Sequence, residues 1–407
     1  MYSSSSSSLP SNTSTTHPPA HIVKNVEKKK VEKKKNVERR SSTSSKKKKQ
    51  KSKFLENNIA GHSKRTICGS LSSDGELIAV ANAEGRVYVY SRSTLKNPSP
   101  RYHLLKDMVD VTAMSFHSDG NVLVCACIKD RKLRFYGLPK LKSTNEKQKQ
   151  FATHLGSLSD GGRMKDIETG HTGSRISSVI FASTGVKPFV VTCASGGSGD
   201  TSVRFFNLRG KLLANVNSHQ IQNVAMSISS DSRFVAVSSL SSEVKILCIH
   251  RNKKTGVFEK VTKAMSLTGH TDSVQAVRFG FYPLGSYRIV SGSNDGTIAM
   301  WDTDVRYDLG VNPTRLCEKK LGGVVRAVAL SPDTSLVAAI LVEKLCVRLC
   351  FVSVLSSKNE MTSIVLEDCY AEPIGTKIWQ LLFFPDGKSV FSLIPGCKNA
   401  QVYQIPT

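Results

Sequence analysis

Between Gly269 and Thr303 the chain reads GHTDSVQAVRFGFYPLGSYRIVSGSNDGTIAMWDT. The segment opens on Gly269-His270, alternates apolar and polar residues through two strands, turns at Asn294-Asp295-Gly296 and closes on Trp301-Asp302. Period-two alternation broken by an Asp-Gly turn predicts antiparallel strands of one small sheet. Such a sheet has two faces to bury and cannot cover either alone. One well-formed unit therefore predicts further units stacked against it.

Weaker copies are present. They run over 61–91, 107–137, 170–210, 218–250, 322–352 and 375–405, with 269–303 as the fifth of seven. Each carries an apolar strand, a polar turn (SSDG, HSDG, SSDS, SPDT or FPDG where the turn is sharpest), a second apolar strand, another turn and a third strand. The Gly-His opening, the Trp-Asp close and this spacing resemble the WD40 repeat. That resemblance implies an all-β, seven-bladed WD40 β-propeller over 54–407, preceded by a disordered basic tail at 1–53. The blades are expected at about 61–105, 107–168, 170–216, 218–267, 269–320, 322–373 and 375–405.

The last copy ends on its third strand, which leaves an edge. Phe54–Ala60, ahead of the first Gly-His, is the free piece that can pair with Gln401–Ile405 and close the ring. A chain beginning near residue 62 is then expected to unfold, whereas deleting 1–50 is expected to leave the melting temperature unchanged.

His270, Ser291, Asp295 and Trp301 look like a catalytic set by residue type. In WD40 blades the same types form a buried chain from Trp N–H through a Ser/Thr hydroxyl and His to Asp, so the resemblance implies a structural tetrad. Ser293 is the rival for the hydroxyl. Partial copies support the structural reading: Asp130 stands six before Tyr136, Asp200 stands six before Phe206, and His62, His171 and His219 hold the loop position. A catalytic triad occurs once in a chain and does not decay across repeats. No phosphate-binding loop, G-x-S-x-G or H-E-x-x-H motif is present. The chain is therefore read as no enzyme, with no cofactor and no small-molecule substrate.

Charge narrows the partners. The formal net charge is +25, and 15 Lys/Arg against 3 Asp/Glu up to Lys53 place +12 of it in the tail, leaving +13 elsewhere. Such a segment cannot offset its ordering entropy, and it reads either as a solvated linker or as an electrostatic arm for RNA or an anionic membrane surface. Lys46, Lys47, Lys48 and Lys49 are the candidate targeting cluster. The ten cysteines include no CxxC pair, so no metal site is expected and they read as buried thiols. No apolar run approaches the roughly 20 residues that span a bilayer.

The central stretch is more specific. NLRGKLLANVNSHQIQNVAMS, HRNKKTGVFEKVTKAMSLTGH and WDTDVRYDLGVNP, within about 170–320, are similar to the transducin beta-like protein 2 family. The resemblance implies a scaffold for protein–protein interaction, associated with the endoplasmic reticulum and with a stress-sensing kinase that restrains translation initiation. Partner contacts are expected on the loops at the tetrad end, with Lys129, Arg175, Asp272 and Asn294 as candidates for phosphorylated or acidic proteins. The cytosolic side of the reticulum is the expected location. The alternative is a nuclear or nucleolar RNA-associated propeller in ribosome assembly, addressed by the tail.

Overall fold

The computed structural model describes residues 55–59, 66–95, 102–105, 110–138, 163–173, 175–182, 187–195, 199–280, 287–343, 347–355, 360–369, 379–394 and 400–405. They form seven four-stranded antiparallel sheets, with no α-helix among the described residues. The expected tail at 1–53, including Lys46–Lys49, and His62 lie outside the described residues.

Each sheet is one blade, its strands in chain order from the inside outward. Blade 1 holds Thr66–Leu71, Leu77–Asn82, Val87–Ser91 and Tyr102–Leu105. Blade 2 holds Val111–Phe116, Val122–Cys127, Lys132–Gly137 and Arg163–Glu168. Blade 3 holds Arg175–Ala182, Phe189–Ser195, Ser202–Asn207 and Leu212–Asn217. Blade 4 holds Asn223–Ile228, Phe234–Ser239, Val244–Arg251 and Phe258–Leu267. Blade 5 holds Val274–Phe279, Arg288–Ser293, Thr297–Asp302 and Thr314–Lys320. Blade 6 holds Val324–Leu330, Leu336–Val342, Val347–Leu355 and Glu360–Cys369. Blade 7 is built from Gln380–Phe383, Ser389–Leu393 and Ala400–Gln404, and its fourth strand is Leu55–Ile59. That strand runs antiparallel to Ala400–Gln404, with Ile59 opposite Ala400 and Leu55 opposite Tyr403.

Burial follows from this stacking. Second strands are covered on both faces by neighbouring blades and read as unbroken apolar runs such as VLVCAC, buried at every position. Fourth strands lie on the outside and carry the charge: RMKDIE, FEKVTKAMSL and TRLCEKK are mostly half-buried or exposed. The buried side chains fall into seven clusters, one at each blade-to-blade seam. The seam that shuts the ring packs Ile59, Phe391 and Val402 of blade 7 against Ile78, Val80 and Tyr90 of blade 1. An open ring would leave those apolar faces wet, at a cost of about 25 cal/mol per Å².

Two features sharpen the packing. The innermost strands of blades 1 to 6 each slip register near their start, as between Val274 and Ala276. A bulge there re-aims the side chains that follow it. Blades 5 and 6 approach so closely that a Cβ on Gly292 would stand 2.4 Å from Cγ1 of Val325. Only glycine fits.

Candidate functional site

The loops that enter each innermost strand and those that join second to third strands lie at one end of the ring. In blade 5 they bring His270 and Asp295 together. Trp301 Nε1–H donates to Ser291 Oγ at 2.8 Å, Ser291 Oγ lies 2.8 Å from His270 Nε2, and His270 Nδ1 lies 3.0 Å from Asp295 Oδ2. Asp295 also accepts the Thr271 amide at 3.0 Å and the Thr297 hydroxyl at 2.6 Å. Ser293 donates instead to the Asp272 carbonyl at 3.0 Å, so Ser291 supplies the hydroxyl of the chain.

The protonation states follow from these surroundings. Burial pushes the His270 pKa down against the pull of Asp295, so the ring is neutral at pH 7. With Ser291 donating to Nε2, the ring proton sits on Nδ1 and points to Asp295. Burial alone would raise the Asp295 carboxyl, but hydrogen bonds from the Thr297 hydroxyl and from the Thr271 and Thr297 amides outweigh it and bring it to about 2. The His270 and Asp295 side chains are 3% and 9% exposed. A substrate cannot reach them, and every donor and acceptor is already engaged within the blade. The arrangement holds two loops to a strand; it has no room for chemistry.

Blade 3 repeats the plan without tryptophan. His171 Nδ1 lies 2.9 Å from Asp200 Oδ2 and His171 Nε2 lies 2.9 Å from Thr192 Oγ1. Phe206 fills the tryptophan position as a buried apolar ring. Thr192 escaped the sequence reading, although it is the fourth residue of its strand, as Ser291 is of its own. Blade 2 departs further: Asp130 accepts the Lys132 amide at 3.2 Å and pairs with Arg134, with no histidine beside it. The Tyr136 hydroxyl is buried with no hydrogen-bond partner among the described residues.

Blade 4 corrects one expectation. His219 does not enter a blade-locking chain: it is exposed, with φ at 51°. Its neighbour Gln220 is buried in that role and donates to the Glu243 carbonyl at 3.0 Å.

The four candidates for partner contact divide in two. Lys129 and Asp272 are exposed. Arg175 and Asn294 are half-buried and support the loops: Arg175 Nε–H donates to Ser195 Oγ at 3.2 Å, and Asn294 Nδ2 donates to Ser273 Oγ at 2.7 Å. Arg326 Nη1 in turn donates to Asn294 Oδ1 at 3.3 Å. The sequence reading passed over three apolar side chains on the loops at this end: Ile128, Ile221 and Leu240, which are 38%, 73% and 41% exposed. The Leu240 amide donates to the Gln222 carbonyl at 3.0 Å, which draws the Ile221 and Leu240 loops together. Among the described residues no group of three or more His, Cys, Asp or Glu is placed to hold a metal ion, and no helix is long and apolar enough to cross a membrane.

Comparisons with known proteins agree with this geometry. The family model for the WD domain, G-beta repeat matches residues 103–136 and 261–302. Transducin beta-like protein 2 of Mus musculus is 28% identical over 284 residues, which cover 69% of this chain and 59% of that protein. The Homo sapiens protein of the same name is 26% identical over 291 residues, covering 70% and 60%. The chain thus spans about three fifths of the length of these curated relatives. The solved structures of U3-55K and of the RRP9 WD40 repeats superpose with a TM-score of 0.60 at 14% identity, over 86% and 88% of this chain and 98% and 100% of theirs. At that identity the likeness is one of fold. Seven sheets, the locked loops of blades 3 and 5 and the matched repeats converge: this chain is a seven-bladed WD40 propeller that resembles transducin beta-like protein 2.

Proposed function

We propose that the chain is a non-catalytic scaffold that captures acidic or phosphorylated protein partners on the loop face at the tetrad end. The observation that carries this is the exposed Ile221 and Leu240 pair on loops tied to one another. Exposed Lys129 and Arg131 lie on another loop of the same face. Apolar anchors with a basic surround suit a partner that presents a hydrophobic side chain beside carboxylates or phosphates. WD40 propellers bind protein partners in general, and the locked loops keep this face rigid, which lowers the ordering cost of binding.

The resemblance to transducin beta-like protein 2 supports a finer reading: service in endoplasmic-reticulum stress and translational control, with a stress-sensing kinase among the partners. The test is recovery of partners by the full chain and by two variants, Ile221→Glu with Leu240→Glu, and Lys129→Glu. Both variants are expected to lose the same phosphatase-sensitive partners, while Leu309→Glu, at the opposite end of blade 5, retains them. Equal recovery by all would remove this face from consideration.

A second reading is favoured by the +12 charge of the first 53 residues: an RNA-associated nuclear or nucleolar propeller. It requires RNA binding that falls steeply with salt as counterions are released. It also requires nuclear enrichment that is lost when the chain starts at Ser52. Retention on reticulum membranes with and without the tail supports the scaffold instead.

A further inference from the structure

The axis of the ring holds a charge that no contact explains. Arg278 is the fifth residue of the six-residue innermost strand of blade 5, and Ser70, Ser115 and Ser227 hold the fifth place in those of blades 1, 2 and 4. All four line a cavity of about 360 Å³ together with Ser178 and Gln380. These residues come from six blades, which only the axial channel can bring together. Arg278 also lines an adjoining cavity of about 430 Å³, and no carboxylate among the described residues lines either one.

Several polar groups at this level have a proton to offer, although Ser115 Oγ turns its own to the Phe116 carbonyl at 3.5 Å. Ser227 Oγ accepts the Phe279 amide at 2.9 Å, and Ser115 Oγ accepts the Phe181 amide at 3.0 Å. Ser227 Oγ donates to no acceptor among the described residues, so its hydrogen is available to the channel. Gln380 Oε1 accepts the Gly69 amide at 2.5 Å, which leaves its NH₂ group to donate. Ser70 and Ser178 make no side-chain hydrogen bond among the described residues. Arg278 makes no hydrogen bond or ion pair among them, and its enclosure disfavours the charged form. A half-buried guanidinium without a counter-charge is costly. A guanidinium flanked by hydroxyl and amide donors is complementary to an oxyanion, because carboxylate and ionised phosphate oxygens accept.

We propose that the axial channel binds one phosphate group, free or as a small phosphomonoester, held by Arg278 and by the hydroxyls of Ser70, Ser178 and Ser227. The site is internal and stands apart from the loop face, so it is a ligand site of the propeller itself. A bound anion there would tie the innermost strands of several blades to one centre.

The experiment is calorimetric titration of the full chain with inorganic phosphate, repeated with glycerol 3-phosphate and with chloride. Three forms are compared: the native chain, Arg278→Gln, and Ser70→Ala with Ser178→Ala. The native chain is expected to show one phosphate site above the weak background of the basic tail. Arg278→Gln should weaken it at least tenfold and abolish the rise in melting temperature that phosphate gives the native chain. The double serine variant, which keeps the arginine and serves if Arg278→Gln does not fold, should weaken it about threefold. The glycerol 3-phosphate arm separates a free phosphate from an ester. Phosphate affinity unchanged in either variant, or an equal Arg278-dependent response to chloride, would overturn the proposal.

Discussion

Blades 5 and 2 have the same four-stranded plan and solve the same problem with different chemistry. In blade 5 a tryptophan, a serine, a histidine and an aspartate form one chain in which every buried polar atom has a partner. In blade 2 the histidine is missing, the aspartate turns to Arg134, and the tyrosine in the tryptophan position buries a hydroxyl with no partner among the described residues. Both blades fold, because the seams between blades carry most of the apolar burial in either case. The polar chain adds rigidity to the loops, and a blade can lose it without losing its place in the ring.

The largest expected effect separates the two aspartates. Asp295→Ala strips partners from His270, Thr271 and Thr297 together, and is expected to cost about 3 kcal/mol. Asp130→Ala removes one amide bond and one partner of Arg134, which keeps Asp166 at 4.0 Å, and should cost about 1 kcal/mol. Urea midpoints measure both, and equal losses would break the comparison. Next in size, Trp301→Phe removes the indole N–H from Ser291 and leaves a small void, for about 2 kcal/mol. Blade 3, with Phe206 at that position, shows that the fold survives it.

Acid sharpens the comparison without a mutation. His171 and His270 have pKa values lowered by burial, so the folded state stays neutral where the unfolded chain takes up protons. Their contribution is full above the ordinary histidine value of about 6.5 and is lost as pH falls below it. The melting temperature should drop between pH 7 and pH 5, and His171→Asn with His270→Asn should flatten that drop. Asp295, held at about 2, keeps its contribution until the pH falls below about 4. The smallest effect belongs to blade 2: Tyr136→Phe deletes an unpartnered hydroxyl and should raise stability by about 0.5 kcal/mol. A clear loss would mean the hydroxyl has a partner after all.

Blade 5 was legible because its signals are local. Gly269-His270, Asn294-Asp295-Gly296 and Trp301-Asp302 sit at fixed offsets within one segment, and the polar turns mark the other blades in the same way. Thr192 was not legible, since the SGGSGD insertion stretches its distance to Asp200 to eight residues, where Ser291 and Asp295 are four apart. His219 misled because histidine drew attention from Gln220, and the direction of each depends on a residue at positive φ. Arg278 carried no signal of its own, being one polar position of an alternating strand. Only the register slip after Val274 and the curvature of the whole ring turn it to the axis. The apolar pair at Ile221 and Leu240 was hidden for a related reason: the two lie on different loops, joined by a single backbone bond.

The clasp of blade 7 has a consequence in time. Ile59 and Ala400 are partners 341 residues apart (400 − 59), so a ribosome must deliver six intervening blades before that pair can form. Six blades can stack as they emerge, each against its predecessor, while the first waits with one flank bare. Contacts between distant residues form slowly, and exposed edges and apolar surface invite aggregation in the interval. The arrival of Ala400–Gln404 thus ends the ring's most vulnerable period.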